Sequence, residues 1–193
     1  MESSEVLWTW TAIDADTKLI VSYLVGPRIT PNAWNLIWDL AARVINRPQI
    51  TTDALAWYKG AIAEAFPDAD YATLTKIYSA EPTGRYSPPR FVGEKSEVII
   101  GSPDPRHIST SFVERQNLTM RMSMRRFTRL TNGFSKKQEN HAHAVAIHFV
   151  HYNFARIHRT LRITPAMAAG ITDHVWSIEE IIGLLDAAQQ TAA

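Results

Sequence analysis

The sequence predicts an α/β fold in which a mixed β-sheet is flanked by helices. Three observations predict it: an antiparallel hairpin pattern opens the chain, strand and helix patterns then alternate, and the part after residue 110 is helical. The chain has 193 residues, of which 46% are hydrophobic and 20% charged, which suits one globular domain with a full core. We expect this domain to cover residues 1–165 and to be followed by a C-terminal helical extension over residues 166–193.

The first predicted element is a β-hairpin. Aromatic residues alternate with threonines over residues 7–14, which is typical of a half-buried strand. Residues 14–18 carry the aspartates that favour a turn. The apolar run over residues 19–25 predicts the returning strand, which Gly26-Pro27 ends.

A helix, a buried strand and a second helix are predicted next. Apolar residues at helical spacing predict a helix over residues 31–46, with a proline that is acceptable in its first turn. Residues 49–52 predict a short buried strand that ends at Asp53. A helix over residues 58–66 and a strand over residues 70–79 follow.

The segment from residue 80 to residue 130 is predicted to be a loop and then a helix. Prolines and glycines predict a loop over residues 80–108, with a strand only near residues 98–100. A helix is expected from Ser111 to about Leu130.

Three further helices complete the prediction. The helix over residues 137–157 is apolar on most sides, so we expect it to be buried. Thr164-Pro165 begins a short helix. A capping box, Ser177-Ile178-Glu179-Glu180, begins the last helix.

Composition excludes several classes of protein. The chain has no cysteine, which excludes a disulfide scaffold and cysteine-based zinc sites and fits a reducing cytosol. No apolar run approaches the roughly 18 residues that a membrane span needs. The first five residues are acidic and do not form a signal peptide. We therefore expect a cytoplasmic protein with no membrane association.

The net charge of +1 conceals a strong asymmetry along the chain. Residues 1–70 contain five Lys/Arg and nine Asp/Glu, a net charge of −4. Residues 111–165 contain ten and two, a net of +8, and residues 166–193 contain none and four, a net of −4. A basic segment inside a nearly neutral protein indicates a face that binds a polyanion.

The helix predicted from Ser111 carries a single acid among arginines. On a wheel of 3.6 residues per turn, Arg121 and Arg125 lie within about 20° of Glu114, and Arg129 within about 60°. A carboxylate is able to hold a divalent metal ion and arginines to hold phosphates, which suggests phosphodiester chemistry on a nucleic acid. The alternative is a solvated helix on which Glu114 pairs with Arg121 or Arg115. A separate apolar flank is expected to face the core: Val113, Met120, Met124 and Phe127.

Other candidate side chains have competing interpretations. Asp53 ends a strand, where α/β sheets place ligand chemistry, but it is equally suited to begin the next helix as its N-cap. Asp14 and Asp16 lie at the hairpin tip, where a turn role is favoured. His148 and His151 have the i, i+3 spacing of a metal-binding pair, but partly buried, hydrogen-bonded histidines are favoured on this helix.

Several stretches together resemble the DDE transposases of bacterial insertion sequences, closest to the insertion-sequence-one type. Each stretch is weak alone, whereas their order and spacing over residues 7–185 are specific. The matching stretches are Trp8-Thr-Trp-Thr-Ala-Ile-Asp14, Thr51-Thr-Asp53 with Trp57-Tyr58, Phe112-Val-Glu114-Arg-Gln-Asn117, Gly133-Phe-Ser-Lys136, Tyr152-Asn-Phe-Ala-Arg156-Ile-His158-Arg-Thr-Leu161 and Thr164-Pro-Ala166.

The resemblance implies a ribonuclease-H-like, integrase-like fold and an activity in DNA recombination. Asp53 takes the role of the second catalytic aspartate and Glu114 that of the glutamate, and three such acids hold two Mg²⁺ or Mn²⁺ ions for strand cleavage and strand transfer in transposition. The family's first aspartate lies on an earlier strand, in an Asp-Glu-hydrophobic-Trp motif. No such motif precedes Leu7, and Asp14 matches an acid at the end of the family's second strand, so we expect the first strand to be missing and cleavage to be weak or absent.

The expected partners are DNA, as transposon ends and as target, and further copies of the chain. Two other functions stay open: a DNA-binding or oligomerising remnant without catalysis, and a metal-dependent nuclease without strand transfer. The residues expected to contact DNA are Arg115, Asn117, Arg121, Arg125, Arg129, Lys136, Arg156 and Arg159.

Overall fold

The computed structural model describes residues 6–79, 89–128, 132, 133, 135 and 137–191. The fold is mixed α/β, as predicted. The chain forms two compact units: a sheet unit, Arg28–Glu114, and a hairpin unit, which combines the residues up to Pro27 with those from Arg115 onwards. The boundary between these units does not fall at residue 165, and the predicted division at that residue stays a prediction.

The sheet unit is built on three strands and two helices. Its strands are β3 (Gln49–Thr52), β4 (Asp70–Tyr78) and β5 (Phe91–Ile100), and its helices are α1 (Thr30–Ala41) and α2 (Ala56–Ala65). β3 runs parallel to β4, and β4 runs antiparallel to β5, so the sheet is mixed. Both helices pack against the sheet around one core, which consists of Ile37 of α1, Ala61 and Ile62 of α2, Phe66 and Ala69 beyond α2, and Tyr71 of β4.

β5 is longer than the sequence predicted. A strand was expected only near residues 98–100, whereas the ladder with β4 begins at Phe91, opposite Tyr78. This part of β5 is largely exposed, so no apolar alternation marks it as a strand. Backbone pairing with β4 forms it instead. Residues 80–88 of the predicted loop lie outside the described residues.

The hairpin unit opens with two antiparallel strands, β1 (Leu7–Ile13) and β2 (Ile20–Pro27). The turn between them is closed by Asp14, whose carboxylate accepts hydrogen bonds from the backbone N–H and the hydroxyl of Thr17. One mixed sheet was expected, but in the described residues β1 and β2 form a separate two-stranded sheet. Among the described residues, the ladder hydrogen bonds of β1 are made only with β2.

Helix α3 (Ser111–Ser123) is shorter than predicted, and the boundary between the units falls within it, after Glu114. It does not reach Leu130, because Met124 takes up an extended backbone (φ −116°, ψ 109°) and a 3₁₀ turn follows over Arg125–Phe127. Met124 enters the core this way. Arg125 therefore does not lie on the same helix as Glu114, and the wheel that grouped them does not apply.

Helix α4 spans Gln138–Val150 and is followed by a π-helical turn over His151–Ala155. The prediction that this helix is buried on most sides is wrong. Of its residues only Val145 and Phe149 are buried, because one face alone packs in the core of the hairpin unit. That core consists of Ile20, Met120, Met124, Val145, Phe149 and Tyr152.

Two helices, one short and one long, end the hairpin unit as predicted. α5 (Pro165–Ala168) begins after Thr164, whose hydroxyl accepts a hydrogen bond from the N–H of Met167. α6 spans Ile178–Thr191. Across the described parts of the chain, no helix is both long and apolar enough to cross a bilayer.

Candidate nucleic-acid interface and acidic residues

Asp53 lies just beyond the carboxyl end of β3, where it was predicted, and its side chain is exposed. Its Oδ1 accepts a hydrogen bond from the N–H of Leu55 at 3.2 Å. The N-cap of α2 is Leu55 itself, so Asp53 shapes the entry to the helix without being its cap. The carboxylate is therefore fixed by one local hydrogen bond and remains open to solvent.

A chain of hydroxyl groups supports the backbone at Asp53. The Thr52 hydroxyl donates to the Asp53 carbonyl oxygen at 2.8 Å and accepts from the Tyr71 hydroxyl at 2.8 Å. Burial, and then the Asp53 carboxylate, raises the pKa of Tyr58 well above its usual value. Burial also raises the pKa of Tyr71. Both tyrosines are therefore protonated at neutral pH, and Tyr71 remains a donor to Thr52.

Glu114 is held at the start of α3 by two partners from the sheet unit. Lys76 of β4 donates to Glu114 Oε2, and the Thr110 hydroxyl donates to Oε1 at 2.8 Å. Burial raises the pKa of Glu114, but the hydrogen bonds from Lys76 and Thr110 outweigh it, so the pKa lies below its usual value. Glu114 is therefore ionised at neutral pH, and its ion-pair partner is Lys76 rather than the expected arginines.

Within the part of the chain that the structure describes, Asp53 and Glu114 share no hydrogen-bond partner. The prediction that Asp53 and Glu114 share one metal environment stays a prediction.

Lys76 competes with a metal ion for the carboxylate of Glu114. Both Glu114 oxygens accept hydrogen bonds, one of them from a lysine, whose positive charge opposes a cation at the same place. Within the described ranges, no three acids or histidines are grouped so that they could hold a metal ion. Asp14 is engaged in the hairpin turn, as the turn interpretation predicted.

The arginines of the hairpin unit are the second candidate site. All are exposed, and in the part of the chain that the structure describes none of them forms an ion pair. These arginines are Arg115, Arg121, Arg125, Arg126, Arg156, Arg159 and Arg162.

Basic side chains of the sheet unit contrast with them. Five of these pair with acids of the same unit. The pairs are Arg43 with Asp39, Arg47 with Asp70, Lys59 with Glu97, Lys76 with Glu114 and Arg106 with Asp104. The hairpin unit thus carries positive charge that its own acids leave uncompensated.

Two clefts in the hairpin unit concentrate this charge. One, of about 410 Å³, is lined by Arg125, Arg126, Asn132 and Gly133, together with Met124. The close approach of Gly133 to Arg125 shapes it, since a Cβ at residue 133 would lie 2.9 Å from Arg125 Cγ.

The second cleft, of about 490 Å³, shares Met124 with the first. The residues that line it are Ser123, Met124, Ala144, Ile147, His148, His151 and Arg156.

The structure describes most of the residues that were expected to contact DNA. Arg125 and Arg156 line the two clefts, and Arg115, Arg121 and Arg159 are exposed. Asn117 is half-buried on α3. Arg129 and Lys136 lie outside the described residues.

Sequence reasoning missed three contributors to these sites. Lys76 was not anticipated, because nothing in a strand pattern marks the partner of a distant acid. Arg126 could have been found, since it lies in the same basic segment as Arg125. Asn132, which lines the first cleft, follows the helix predicted to about Leu130, and no site role was expected for it.

In comparisons with protein-family models, curated proteins and solved structures, nothing matches this chain. The transposase resemblance therefore rests on the motifs alone.

Proposed function

We propose that this chain is a DNA-binding domain of the insertion-sequence transposase class, with a ribonuclease-H-like arrangement. The observation that carries the proposal is the set of exposed arginines in the hairpin unit that form no ion pair within the described residues. Nucleic-acid phosphates would supply the missing negative charge, and the release of counterions from DNA would drive binding. The element order also supports the proposal, since a hairpin, a helix and two parallel strands linked by a helix follow one another.

The contrast between the two units locates the expected contact. An arginine that already pairs with a carboxylate gains little from a phosphate, because the acid must be displaced first. The sheet unit holds most of its described cations in such pairs. The hairpin unit is therefore the proposed DNA-binding surface. Because phosphate contacts carry no sequence information by themselves, binding is expected to depend weakly on sequence.

Binding of a DNA duplex at several salt concentrations tests the proposal. Each phosphate contact makes the slope of log K against log[salt] steeper by about 0.9. The double variant Arg121→Ala with Arg125→Ala should therefore make the slope shallower by about one to two units. The matched control is Arg43→Ala with Arg47→Ala, which removes the same charge from ion-paired positions of the sheet unit. No binding at low salt, or an equal fall of the slope in both double variants, would count against the proposal.

Catalysis by the same chain is the second candidate. It is favoured by the exposed carboxylate of Asp53 beyond a strand end and by the ionised carboxylate of Glu114 in the same unit. We expect little or no nicking of supercoiled DNA with Mg²⁺ or Mn²⁺, because Lys76 donates a hydrogen bond to the carboxylate of Glu114 and competes with a metal ion for it. Robust nicking that is lost in both Asp53→Asn and Glu114→Gln would establish catalysis instead. Loss in Asp14→Asn as well would make Asp14 the third acid.

The resemblance further implies an assembly of several copies with divalent ions and a place in the cytoplasm, and these remain parts of the proposal. Sedimentation of the chain with and without DNA measures the first of them.

A further inference from the structure

The second cleft of the hairpin unit is lined by both polar and apolar residues. Its polar lining is Ser123, His148, His151 and Arg156, and its apolar lining is Met124, Ala144 and Ile147. The volume of about 490 Å³ lies in the range of ligand sites, which is roughly 300–1,000 Å³. Such a division suits a ligand that has a charged group joined to a less polar body.

The ionisable groups that line this cleft are all basic. Those that act on His148 are His151 and Arg156, and burial together with these two neighbours lowers the pKa of His148. Arg156 also acts on His158, whose pKa is lowered by burial and then by Lys18 and Arg156. No acid of the described residues pairs with Arg156. The cleft therefore has a positive potential that an anion would relieve.

His148 also has a polar atom without a partner. Its Nε2 is buried and makes no hydrogen bond in the described structure. Buried polar groups are almost always hydrogen-bonded, and a group that is left unsatisfied marks either strain or a missing partner. The ring lies 5.5 Å from that of Phe149 and 6.4 Å from that of Tyr152, measured between centroids, so it forms part of the wall between the cleft and the core.

The π-helical turn supplies the remaining geometry. His151 begins the turn and remains exposed, and the chain leaves it at Arg156 with an extended backbone (φ −94°, ψ 118°). Arg156 thus reaches the cleft from the segment beyond the helix, whereas His148 and His151 reach it from one helical face. The exposed hydroxyl of Ser123 comes from the end of α3.

We propose that this cleft binds one phosphodiester group of a nucleic-acid strand, with the phosphate oxygens on Arg156, His151 and the Ser123 hydroxyl and the attached sugar against Met124 and Ile147. This deepens the proposed function and rests on it for the source of the phosphate. His148 does not contact the anion through its shielded nitrogen. It takes up a proton from solvent when the anion binds, because the phosphate charge offsets that of Arg156.

Nuclear magnetic resonance titration of the His148 ring in the full chain tests the site. The probes are inorganic phosphate, a 5′-hydroxyl oligonucleotide and the same oligonucleotide with a 5′-phosphate. We expect all three to raise the pKa of His148, and affinity to fall by up to about tenfold per pH unit over the range in which the ring loses its proton. Arg156→Gln should abolish the shift and Arg156→Lys should restore part of it. Arg43→Gln removes an exposed arginine of the sheet unit, which is paired with Asp39, and should leave the shift intact.

The outcomes separate this site from the proposed function. If no probe moves His148 while DNA still binds with a steep salt slope, the site is refuted and the proposed function stands. If inorganic phosphate moves His148 but neither oligonucleotide does, the nucleic-acid source is refuted. A shift that survives Arg156→Gln would also overturn the assignment, since the anion would then lie elsewhere.

Discussion

The side chain of Asn153 joins the π-helical turn to the first strand pair of the hairpin unit. Its Nδ2 donates to the carbonyl oxygen of Ile20 at 3.0 Å, and its Oδ1 accepts from the N–H of Ile20 at 3.0 Å. The amide thus bonds to both backbone groups of one residue of β2, as a neighbouring strand would. Asn153 is 8% exposed and Ile20 5%, so water is a poor substitute for either contact.

Substitution of Asn153 by alanine should therefore be costly. It leaves a buried N–H and a buried C=O without partners, and each such group costs about 1–3 kcal/mol. The sum is about 2–6 kcal/mol, and we expect about 3 kcal/mol after partial entry of water. A typical substitution costs about 1 kcal/mol. Asn140→Ala is the matched control, because Asn140 is exposed on α4 and its loss should change stability by no more than about 0.5 kcal/mol.

Urea unfolding of both variants measures the global effect, and hydrogen exchange of the Ile20 amide measures the local one. Asn153→Ala should lower the unfolding free energy and accelerate exchange at Ile20. Asn153→Asp keeps the acceptor but loses the donor, so it should be at least as destabilising at neutral pH and recover in acid, where the carboxyl becomes a donor. If Asn153→Ala costs no more than Asn140→Ala, the reasoning is refuted.

Two further predictions concern ionised groups. Lys76→Met should raise the pKa of Glu114, because Lys76 provides the largest of the contacts that lower it, and carbon chemical shifts of the Glu114 carboxyl will show the change. The pKa of His174 is raised by hydrogen bonds to Asp173 and then to Glu180, and the pKa of Glu180 is lowered by the backbone N–H of Ser177 and then by His174. The His174 contribution is complete below pH 6.5 and is lost as pH rises through the raised pKa, whereas the Glu180 contribution is complete above pH 4.5 and is lost as pH falls. Order at the start of α6, measured by amide exchange, should thus be greatest between these values.

Each of these predictions has a control. Lys59→Met breaks the ion pair with Glu97 on the same sheet and should leave the pKa of Glu114 unchanged. If the pKa of Glu114 is the same in Lys76→Met as in the unchanged chain, the ion pair between Lys76 and Glu114 does not form in solution. For α6, Asp173→Asn should lower the pKa of His174 more than Glu180→Gln does, and the opposite order would contradict the ranking of the two contacts.

Features that depend on near neighbours were predictable from the sequence. The capping box at α6 is confirmed: the N–H of Glu180 donates to the Ser177 hydroxyl at 3.2 Å, and the N–H of Ser177 donates to the Glu180 carboxylate at 2.7 Å. The hairpin turn at Asp14 is likewise confirmed. Both need only residues two or three positions apart, so their geometry is already determined by local spacing.

Features that depend on distant partners were not predictable. Helical periodicity assigned the arginines to Glu114, yet the bonding cation is Lys76, 38 residues earlier in the chain, because β4 brings it there. The periodic apolar flank also continued past the true end of α3. Met124 enters the core from an extended segment rather than from a helical turn. A helical wheel assumes a continuous helix, so it does not distinguish these two backbone conformations.

The π-helical turn at His151–Ala155 has a consequence for how this segment tolerates change in length. In an α-helix each residue advances the direction of the side chains by about 100°, so neighbouring residues seldom face the same way. The wider turn lets Tyr152 and Asn153, which are adjacent, both be buried. Deletion of one residue here would restore a regular α-helical turn, in which adjacent residues do not both face the core. The extra residue in the turn therefore determines the direction in which the chain continues at Arg156. Sequences of this type should accept substitutions in the turn more readily than a change in its length.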